Sequence, residues 1–194
     1  MTTDHRTDAA IISASLRRPE VFAALFDRHF DRIHGYLSRR FGTEAAADAA
    51  SETFLVAFRR RGDFDPARAN ALPWLFGIAL RVARSQRRAE RRMLRDPGVH
   101  DIPPEPHAAA DARLGAAERE ALRLALARLR RPERDALTLF ALADLTYEEI
   151  ATAMDTTPGT VASRISRARA RLSGDLPGLR PSSTPTPKEA VDGR

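Results

Sequence analysis

The sequence predicts an all-α protein of two small helical domains joined by a flexible linker. Two stretches of the chain repeat apolar residues with the 3.6-residue period of helices, and no segment alternates for long enough to form a strand. Between them lies a proline-rich segment without apolar periodicity, which is typical of a linker. We expect a first domain of three to four helices over 1–95, the linker over 96–116, a helix-turn-helix domain over 117–173 and a disordered tail over 174–194.

The first domain is built around a long amphipathic helix. Apolar residues recur with helical spacing from Pro19 to Phe41, and Gly42 follows at the expected stop. Proline suits the first turn of a helix, where its missing N–H group is not needed. A shorter helix over 8–17 is expected to precede it.

Two further helices of the first domain flank a loop. One is predicted from Thr43, as the N-cap, to Gly62. Its buried face is expected to contain Ala47, Ala50 or Ser51, Phe54 or Leu55, and Phe58. The segment 62–73 contains Pro, Asn and Asp, which favour a loop. Pro73 suits the first turn of the third helix, whose inward residues are expected to be Trp74, Leu75, Ile78, Ala79 and Val82.

The second domain starts with two helices and ends in a helix-turn-helix. Helical periodicity returns over 117–131, and Pro132 suits the start of the next helix. In "TYEEIATAMDTTPGTVASRISRARARL" (146–172), Thr146 and Glu149 match a capping box that opens a short helix. Thr157 is a good N-cap for the helix that follows the turn.

This last helix has the pattern of a DNA recognition helix. Its inward residues are predicted to be Val161, Ile165, Ala168 and Leu172. Its outward residues are predicted to be Thr160, Ser163, Arg164, Arg167 and Arg171. Small polar groups near the N-terminus followed by arginines suit a helix that enters the major groove. The alternative is a surface helix whose arginines are only solvated.

The overall charge favours an anionic partner. The formal net charge is +6 and the isoelectric point is about 10.9, which favours nucleic acid or an acidic protein surface, although an arginine-rich composition also arises in GC-rich genomes. The chain has no cysteine, which excludes disulfides and cysteine-based zinc sites. We find no signal-peptide pattern and no apolar run of the length that spans a bilayer, so we expect a cytoplasmic protein without metal or cofactor.

Four ordered blocks carry a resemblance to a known family. They are "FAALFDRHFDRIHGYLSRRFG" (22–42), "DAASETFLVAFRR" (48–60), "PWLFGIA" (73–79) and "LTYEEIATAMDTTPGTVASRISRARARL" (145–172). In this order they resemble the extracytoplasmic-function group of bacterial RNA polymerase sigma factors, over about 20–95 and 117–172. The sequence departs from the family at Arg81, where asparagine is common, at Ser85, where aspartate is frequent, and at Asp155, where glycine often stands.

The resemblance implies a role for each domain. The first domain would be sigma region 2, and it would dock on the β′ clamp helices of core RNA polymerase through Asp48, Glu52, Thr53 and Phe54. Region 2 would also contact the −10 promoter element through Phe64, Asn70, Trp74, Arg81, Arg84, Ser85 and Arg88. The second domain would be region 4, which would contact the β flap and the −35 element, the latter through Thr157, Thr160, Ser163, Arg164, Arg167 and Arg171. An anti-sigma factor is a possible further partner.

The acidic spacing in the first domain agrees in part with this role. Glu44, Asp48 and Glu52 recur every four residues, which predicts an acidic ridge suited to a basic partner, although an ordinary solvated face would look the same. An autonomous helix-turn-helix regulator, with 1–95 as a ligand or dimerisation domain, is the alternative function. An enzyme is not expected, because the sequence has no paired His–carboxylate spacing and no Gly-rich phosphate loop.

Overall fold

The computed structural model describes residues 6–93 and 115–176, and this part of the chain is helical without strands. Most of the predicted linker and tail lie outside these residues. The helices are α1 (Asp8–Ser15), α2 (Ala23–Phe41), α3 (Thr43–Arg59), α4 (Leu72–Met93), α5 (Ala116–Arg128), α6 (Arg131–Ala143), α7 (Tyr147–Met154) and α8 (Pro158–Asp175). The all-α prediction is confirmed.

The first domain packs α2, α3 and α4 together, with α1 against α2, and its apolar core continues into α6, α7 and α8 of the second domain. The predicted single helix from Pro19 instead opens with a 3-10 turn over Pro19–Phe22, after which α2 begins. Phe22 is buried and packs edge-to-face on Phe58 of α3, with 5.4 Å between the ring centroids. This turn therefore anchors the start of α2 in the core.

The buried face of α3 differs from the prediction. Thr43 is the first helical residue and provides no cap, because Gly42 occupies the flanking position with φ of 89°. The buried positions are Ala46, Ala49, Ala50, Thr53, Phe54 and Ala57, whereas Ala47, Ser51 and Leu55 are exposed. The sequence placed Thr53 at a partner surface, but its hydroxyl donates to the carbonyl of Ala49 at 2.6 Å, which satisfies its polar group inside the core.

Helix α4 is covered on all sides through its first half. From Ala71 to Leu80 every residue except the half-buried Trp74 is buried, because α2 and α3 cover one side and α7 covers the other. Gly77 lies where α7 crosses, and a Cβ atom added there would stand 2.7 Å from the carbonyl oxygen of Ala153. The absence of a side chain at Gly77 therefore permits the close approach of these two helices.

The second domain contains the predicted helix-turn-helix. The capping box is confirmed, since the Thr146 hydroxyl accepts from the Glu149 N–H and the Glu149 carboxylate accepts from the Thr146 N–H. Asp155 ends α7 in the left-handed region with φ of 51°. The Thr157 hydroxyl then accepts from the Thr160 N–H and caps α8, as predicted.

Candidate nucleic-acid interface

Helix α8 presents the two faces that its sequence predicts. Val161, Ile165 and Ala168 are buried against the rest of the second domain, and Leu172 is half-buried. On the other side, Ser163, Arg167 and Arg171 are exposed, while Thr160 and Arg164 are half-buried. The outward face therefore carries hydroxyl groups near its N-terminus and arginines along its length, an arrangement that can hydrogen-bond base edges and phosphates.

A buried glutamate of α6 holds two of these arginines. Glu133 is 3% exposed and accepts from Nε of Arg167 at 3.3 Å and from Nη1 of Arg171 at 2.8 Å. No ion pair is found for Arg164 among residues 6–93 and 115–176. Glu133 thus fixes the direction of Arg167 and Arg171 and neutralises part of their charge, whereas Arg164 keeps its full charge.

The residues predicted for the −10 element divide into three groups. Phe64 is buried and packs edge-to-face on Trp74, with 5.3 Å between the ring centroids. This pair closes the loop onto α4 instead of presenting Phe64 to a ligand. Ser85 and Arg88 are exposed along α4. The remaining residues, Asn70, Arg81 and Arg84, each lie against an acid of the second domain.

Asp135 of α6 forms a buried link between the two domains. It is 2% exposed and accepts from Nη2 of Arg40 at 2.7 Å and from Nη2 of Arg84. The side chains of Arg40 and Asp135 are both almost fully buried, so this pair lies in a low-dielectric environment. Asp135 therefore joins α2 and α4 of the first domain to the second.

Two further acids of the second domain, Glu149 and Asp155, lie near Asn70 and Arg81. The Asn70 amide uses its oxygen to accept from the Leu72 N–H at 2.9 Å and its nitrogen to donate to Glu149 of α7 at 3.2 Å. Partial burial, together with repulsion from Arg60 and Arg84, lowers the pKa of the Arg81 guanidinium, and attraction from Asp155 opposes this shift. In this conformation acids of the second domain therefore lie beside Asn70, Arg81 and Arg84.

Helix α2 completes the contact at the far end of α6. Arg32 donates to the carbonyl of Ala143 at 3.1 Å and Arg39 donates to that of Leu142 at 2.5 Å. These carbonyls belong to the last turn of α6, where no further helical N–H is available, so the arginines satisfy them and match the negative end of the helix dipole. The hydroxyl of Tyr36, also in α2, lies 3.4 Å from Oγ1 of Thr138 in α6, and burial raises the pKa of this hydroxyl.

The residues predicted for polymerase binding are only partly at the surface. Asp48 is exposed and Glu52 is half-buried, while Thr53 and Phe54 are buried. The side chain of Glu44 lies outside the described part of the chain. Phe54 packs edge-to-face on Phe26 of α2 at 4.9 Å between centroids, and the side chain of Phe26 is exposed. The α2–α3 surface therefore combines acids with aromatic and aliphatic groups, and the exposed Leu55 belongs to it.

The sequence did not identify Asp8, which is the most connected acid of the first domain. Its carboxylate is buried and accepts from Nη1 of Arg28 at 2.6 Å and from the N–H of Ala71 at 2.9 Å, and it bonds Nε2 of His29 at 2.7 Å. Burial raises the pKa of Asp8, but the hydrogen bonds from His29 and Ala71 outweigh it, so the pKa lies below its ordinary value. The ionised form is therefore the one that the fold stabilises.

This shift predicts how the stability of the first domain depends on pH. A carboxyl group with a lowered pKa in the folded state contributes stability above its unfolded pKa, about 3.9, and loses it as the pH falls through the folded value. The free energies of unfolding of the wild type and of Asp8→Asn should therefore differ most above pH 5 and converge in stronger acid. Denaturant titrations at several pH values measure this, and a difference that does not shrink as the pH falls below the unfolded pKa would contradict it.

Both domains match models of one protein family. Residues 25–93 match the family model "Sigma-70 region 2", and residues 119–172 match "Sigma-70, region 4". RNA polymerase sigma factor CarQ of Myxococcus xanthus is 31% identical over 79% of this chain and 87% of that protein. ECF RNA polymerase sigma factor EcfG of Rhodopseudomonas palustris is 34% identical over 69% of this chain and 72% of that protein.

The chain belongs to the extracytoplasmic-function (ECF) RNA polymerase sigma factors. As a sigma factor it binds core RNA polymerase and promoter DNA and directs transcription initiation, so the predicted family and function are confirmed. A solved structure similar to it is that of the sigma factor RpoE of Bartonella quintana in complex with the anti-sigma factor NepR. The TM-score is 0.56, with 26% identity over 86% of this sigma factor and 99% of that chain.

The described part of the chain contains neither a membrane-spanning helix nor a cluster of metal-ligating side chains. No helix within residues 6–93 and 115–176 is both long enough and apolar enough to cross a membrane. Within the same residues no three His, Asp or Glu side chains come together in a group that could hold a metal ion. The sigma factor family is a family of non-enzymatic initiation factors.

Proposed function

We propose that α8 binds the −35 element of the promoter as duplex DNA. The observation that supports this is the outward face of α8, where Thr160 and Ser163 precede Arg164, Arg167 and Arg171. The capped N-terminus adds the positive end of the helix dipole at the point that would enter the major groove. Glu133 would hold Arg167 and Arg171 towards the phosphates beside the groove, which leaves Arg164 as the candidate for base contact.

The α2–α3 surface is proposed to bind the β′ clamp helices of core polymerase, and the second domain the β flap. Asp48 and Glu52 provide exposed or half-buried negative charge in a basic chain, and Phe26 and Leu55 provide exposed apolar area beside them. Thr53 and Phe54 are buried beneath this surface, so they would support its shape and would not contact the polymerase themselves. Mixed surfaces of this kind, with aromatic anchors and a charged rim, are typical of stable interfaces.

The start of α4 and the loop before it are proposed to contact the −10 element. Trp74, Ser85 and Arg88 are accessible for this, whereas Asn70 and Arg84 are bound to Glu149 and Asp135. Contact of these last two residues with DNA therefore requires the second domain to move away from α4. The free energy for this movement would come from binding to core polymerase and to the two promoter elements.

Run-off transcription with core polymerase tests the whole proposal. A transcript from one promoter should appear only when both the sigma factor and the core are present. Tight sequence-specific DNA binding by the free chain, without association with the core, would instead indicate an autonomous helix-turn-helix regulator. The nucleotidyl transfer belongs to the polymerase, so we propose a protein without catalytic activity that acts in the cytoplasm and is subject to an anti-sigma factor.

Arg164→Ala is expected to weaken binding of the holoenzyme to the −35 duplex by about tenfold or more, because a bidentate arginine–guanine contact contributes about 1–3 kcal/mol. Arg167→Ala should also weaken it, with Arg171 still held by Glu133. Arg128→Ala is the matched control, since it removes the same charge from α5, where the side chain is 72% exposed and makes only a long, 3.7 Å ion pair with Asp175 at the far end of α8. Equal affinities for core polymerase are expected throughout. Loss of core binding by Arg164→Ala would show that the proposed faces are wrong.

A further inference from the structure

Helix α1 holds both ends of the loop that leads into α4. At the beginning of this loop, Nε of Arg61 donates to the carbonyl of Ser15, the last residue of α1, at 3.4 Å. At its end, the N–H of Ala71 donates to the carboxylate of Asp8, the first residue of α1, at 2.9 Å. Hydrogen bonds to the two termini of this short helix therefore hold the chain on both sides of the loop between Phe64 and Asn70.

The bond to Asp8 also determines where α4 begins. The carbonyl of Ala71 accepts the helical bond from the Leu75 N–H at 2.9 Å, so Ala71 is the residue from which the first turn starts. Its own N–H is one of the unpaired donors of a helix N-terminus. Asp8 supplies the acceptor that this donor needs, and its negative charge suits the positive end of α4. An acid from a distant part of the sequence therefore does what a local N-cap residue usually does.

Asp8 is itself held in one position. Arg28 and His29 of α2 bind its two carboxylate oxygens at 2.6 and 2.7 Å, and the group is 4% exposed. The oxygen that binds His29 is the one that accepts from Ala71. The position of the loop end is therefore fixed relative to α2, one of the helices that form the domain core.

We propose that Asp8 is a positioning residue for −10 recognition: it fixes Ala71 and so, once α7 has moved away from α4, presents the loop over 65–70, which includes Asn70, to the unpaired −10 strand. The inference rests on the proposed contact of this loop with the −10 element. Base capture from an opened duplex requires a preformed site, because unpairing already costs a few kcal/mol. A loop that must first be ordered loses affinity by the cost of that ordering. Asp8 removes this cost without touching DNA.

The test combines a mobility measurement with a binding measurement on the holoenzyme. The chain has no cysteine, so Ala69→Cys gives a unique exposed site for a spin label within the loop. The DNA probes come from one promoter fragment that the wild-type holoenzyme selects from a randomised duplex pool. One probe is the single non-template strand of its −10 element, and the other is the duplex of its −35 element.

Asp8→Ala should make the label more mobile and lower the affinity for the −10 single strand about tenfold, equivalent to about 1.4 kcal/mol. The affinity for the −35 duplex and for core polymerase should stay the same. Asp8→Asn keeps the volume of the side chain and one acceptor oxygen, so it should give a smaller effect in the same direction. It also keeps the test conclusive if Asp8→Ala does not fold.

Thr7→Ala is the matched control for the stability of α1. The Thr7 hydroxyl caps this helix by accepting from the Ala10 N–H at 3.2 Å and makes no bond to the loop. The substitution Thr7→Ala should lower the melting temperature of the protein without a change in label mobility or −10 affinity. If Thr7→Ala reproduces the effects of Asp8→Ala, or if Asp8→Ala leaves both readouts unchanged, the inference is wrong. If the wild-type holoenzyme does not bind the −10 strand, the proposed function of the loop fails instead.

Discussion

Replacing Asp135 with asparagine is expected to separate the two domains of the free sigma factor while each domain stays folded. Asp135 is the acid that Arg40 and Arg84 share, and the Arg40–Asp135 pair is buried. Removal of one partner from a buried ion pair typically costs about 3–5 kcal/mol, because the other charge stays in a low-dielectric environment. Asparagine keeps the shape of aspartate, so the loss of charge is isolated from the loss of volume.

The free energy lost in Asp135→Asn is expected to weaken the contact between the domains and not the fold of either one. Arg40 belongs to α2 and Asp135 to α6, 95 residues away, so the pair holds the domains together and is not part of either core. If the domains move apart, the Arg40 guanidinium reaches water, and the cost is relieved without unfolding. Partial exposure of Arg84 makes its contribution smaller than that of Arg40.

Small-angle scattering of the free protein measures the effect as an increase in the radius of gyration. Labels on engineered cysteines at the exposed positions Ala47 and Ser173 would report the same change as a distance. The matched control is Asp31→Asn, which removes one charge from an exposed position of α2. A lower melting temperature with an unchanged radius would mean that the contact is not the weakest part of the molecule.

Gly77→Ala is expected to produce the same separation through packing instead of charge. A methyl group at Gly77 would meet the backbone oxygen of Ala153 at 2.7 Å, and a backbone carbonyl cannot turn away as a long side chain can. Helices α4 and α7 must therefore move apart, and overpacking of this kind costs about 1–3 kcal/mol. The clash lies where α4 meets α7, inside the apolar core that the two domains share.

Gly35→Ala provides an unusually direct control for this variant. Gly35 lies inside helix α2, and a Cβ atom there would meet nothing within 4 Å. Alanine is the better helix former by up to about 1 kcal/mol, so Gly35→Ala should stabilise the protein. Gly77→Ala gains the same helix propensity but should enlarge the radius of gyration. Equal stabilisation by both substitutions, with no change of radius, would contradict the close approach seen at Gly77.

The sequence predicted the helix-turn-helix well because its determinants are local. The capping box of Thr146 and Glu149 and the N-cap Thr157 act over three residues, so a short stretch of sequence contains both partners. The inward face of α8 follows from apolar spacing alone, and Val161 and Ile165 are buried as expected. Where bonding partners are near neighbours in sequence, residue types and spacing are sufficient evidence.

The features that the sequence did not reveal depend on distant partners. Asp8 and Ala71 are 63 residues apart, and Arg84 and Asp135 are 51 residues apart. Before the fold is known, a buried aspartate has the same local pattern as a solvated one. The face of α3 was misassigned at Ala47 for a related reason: alanines occupy positions 45, 46, 47, 49 and 50, so hydrophobicity does not select one side. The close packing of α2 against α3 selects it.

The acids opposite the arginines have a consequence for how this sigma factor responds to ionic strength. Free arginines that bind phosphates displace one condensed counterion each, and affinity then falls steeply as salt rises. Arg84, Arg167 and Arg171 already face Asp135 or Glu133, so on DNA they exchange one anion for another or share their charge between two. These three arginines therefore release fewer condensed counterions from the DNA than three unpaired arginines would. Promoter affinity should therefore be less sensitive to salt than the arginine-rich surface alone would predict.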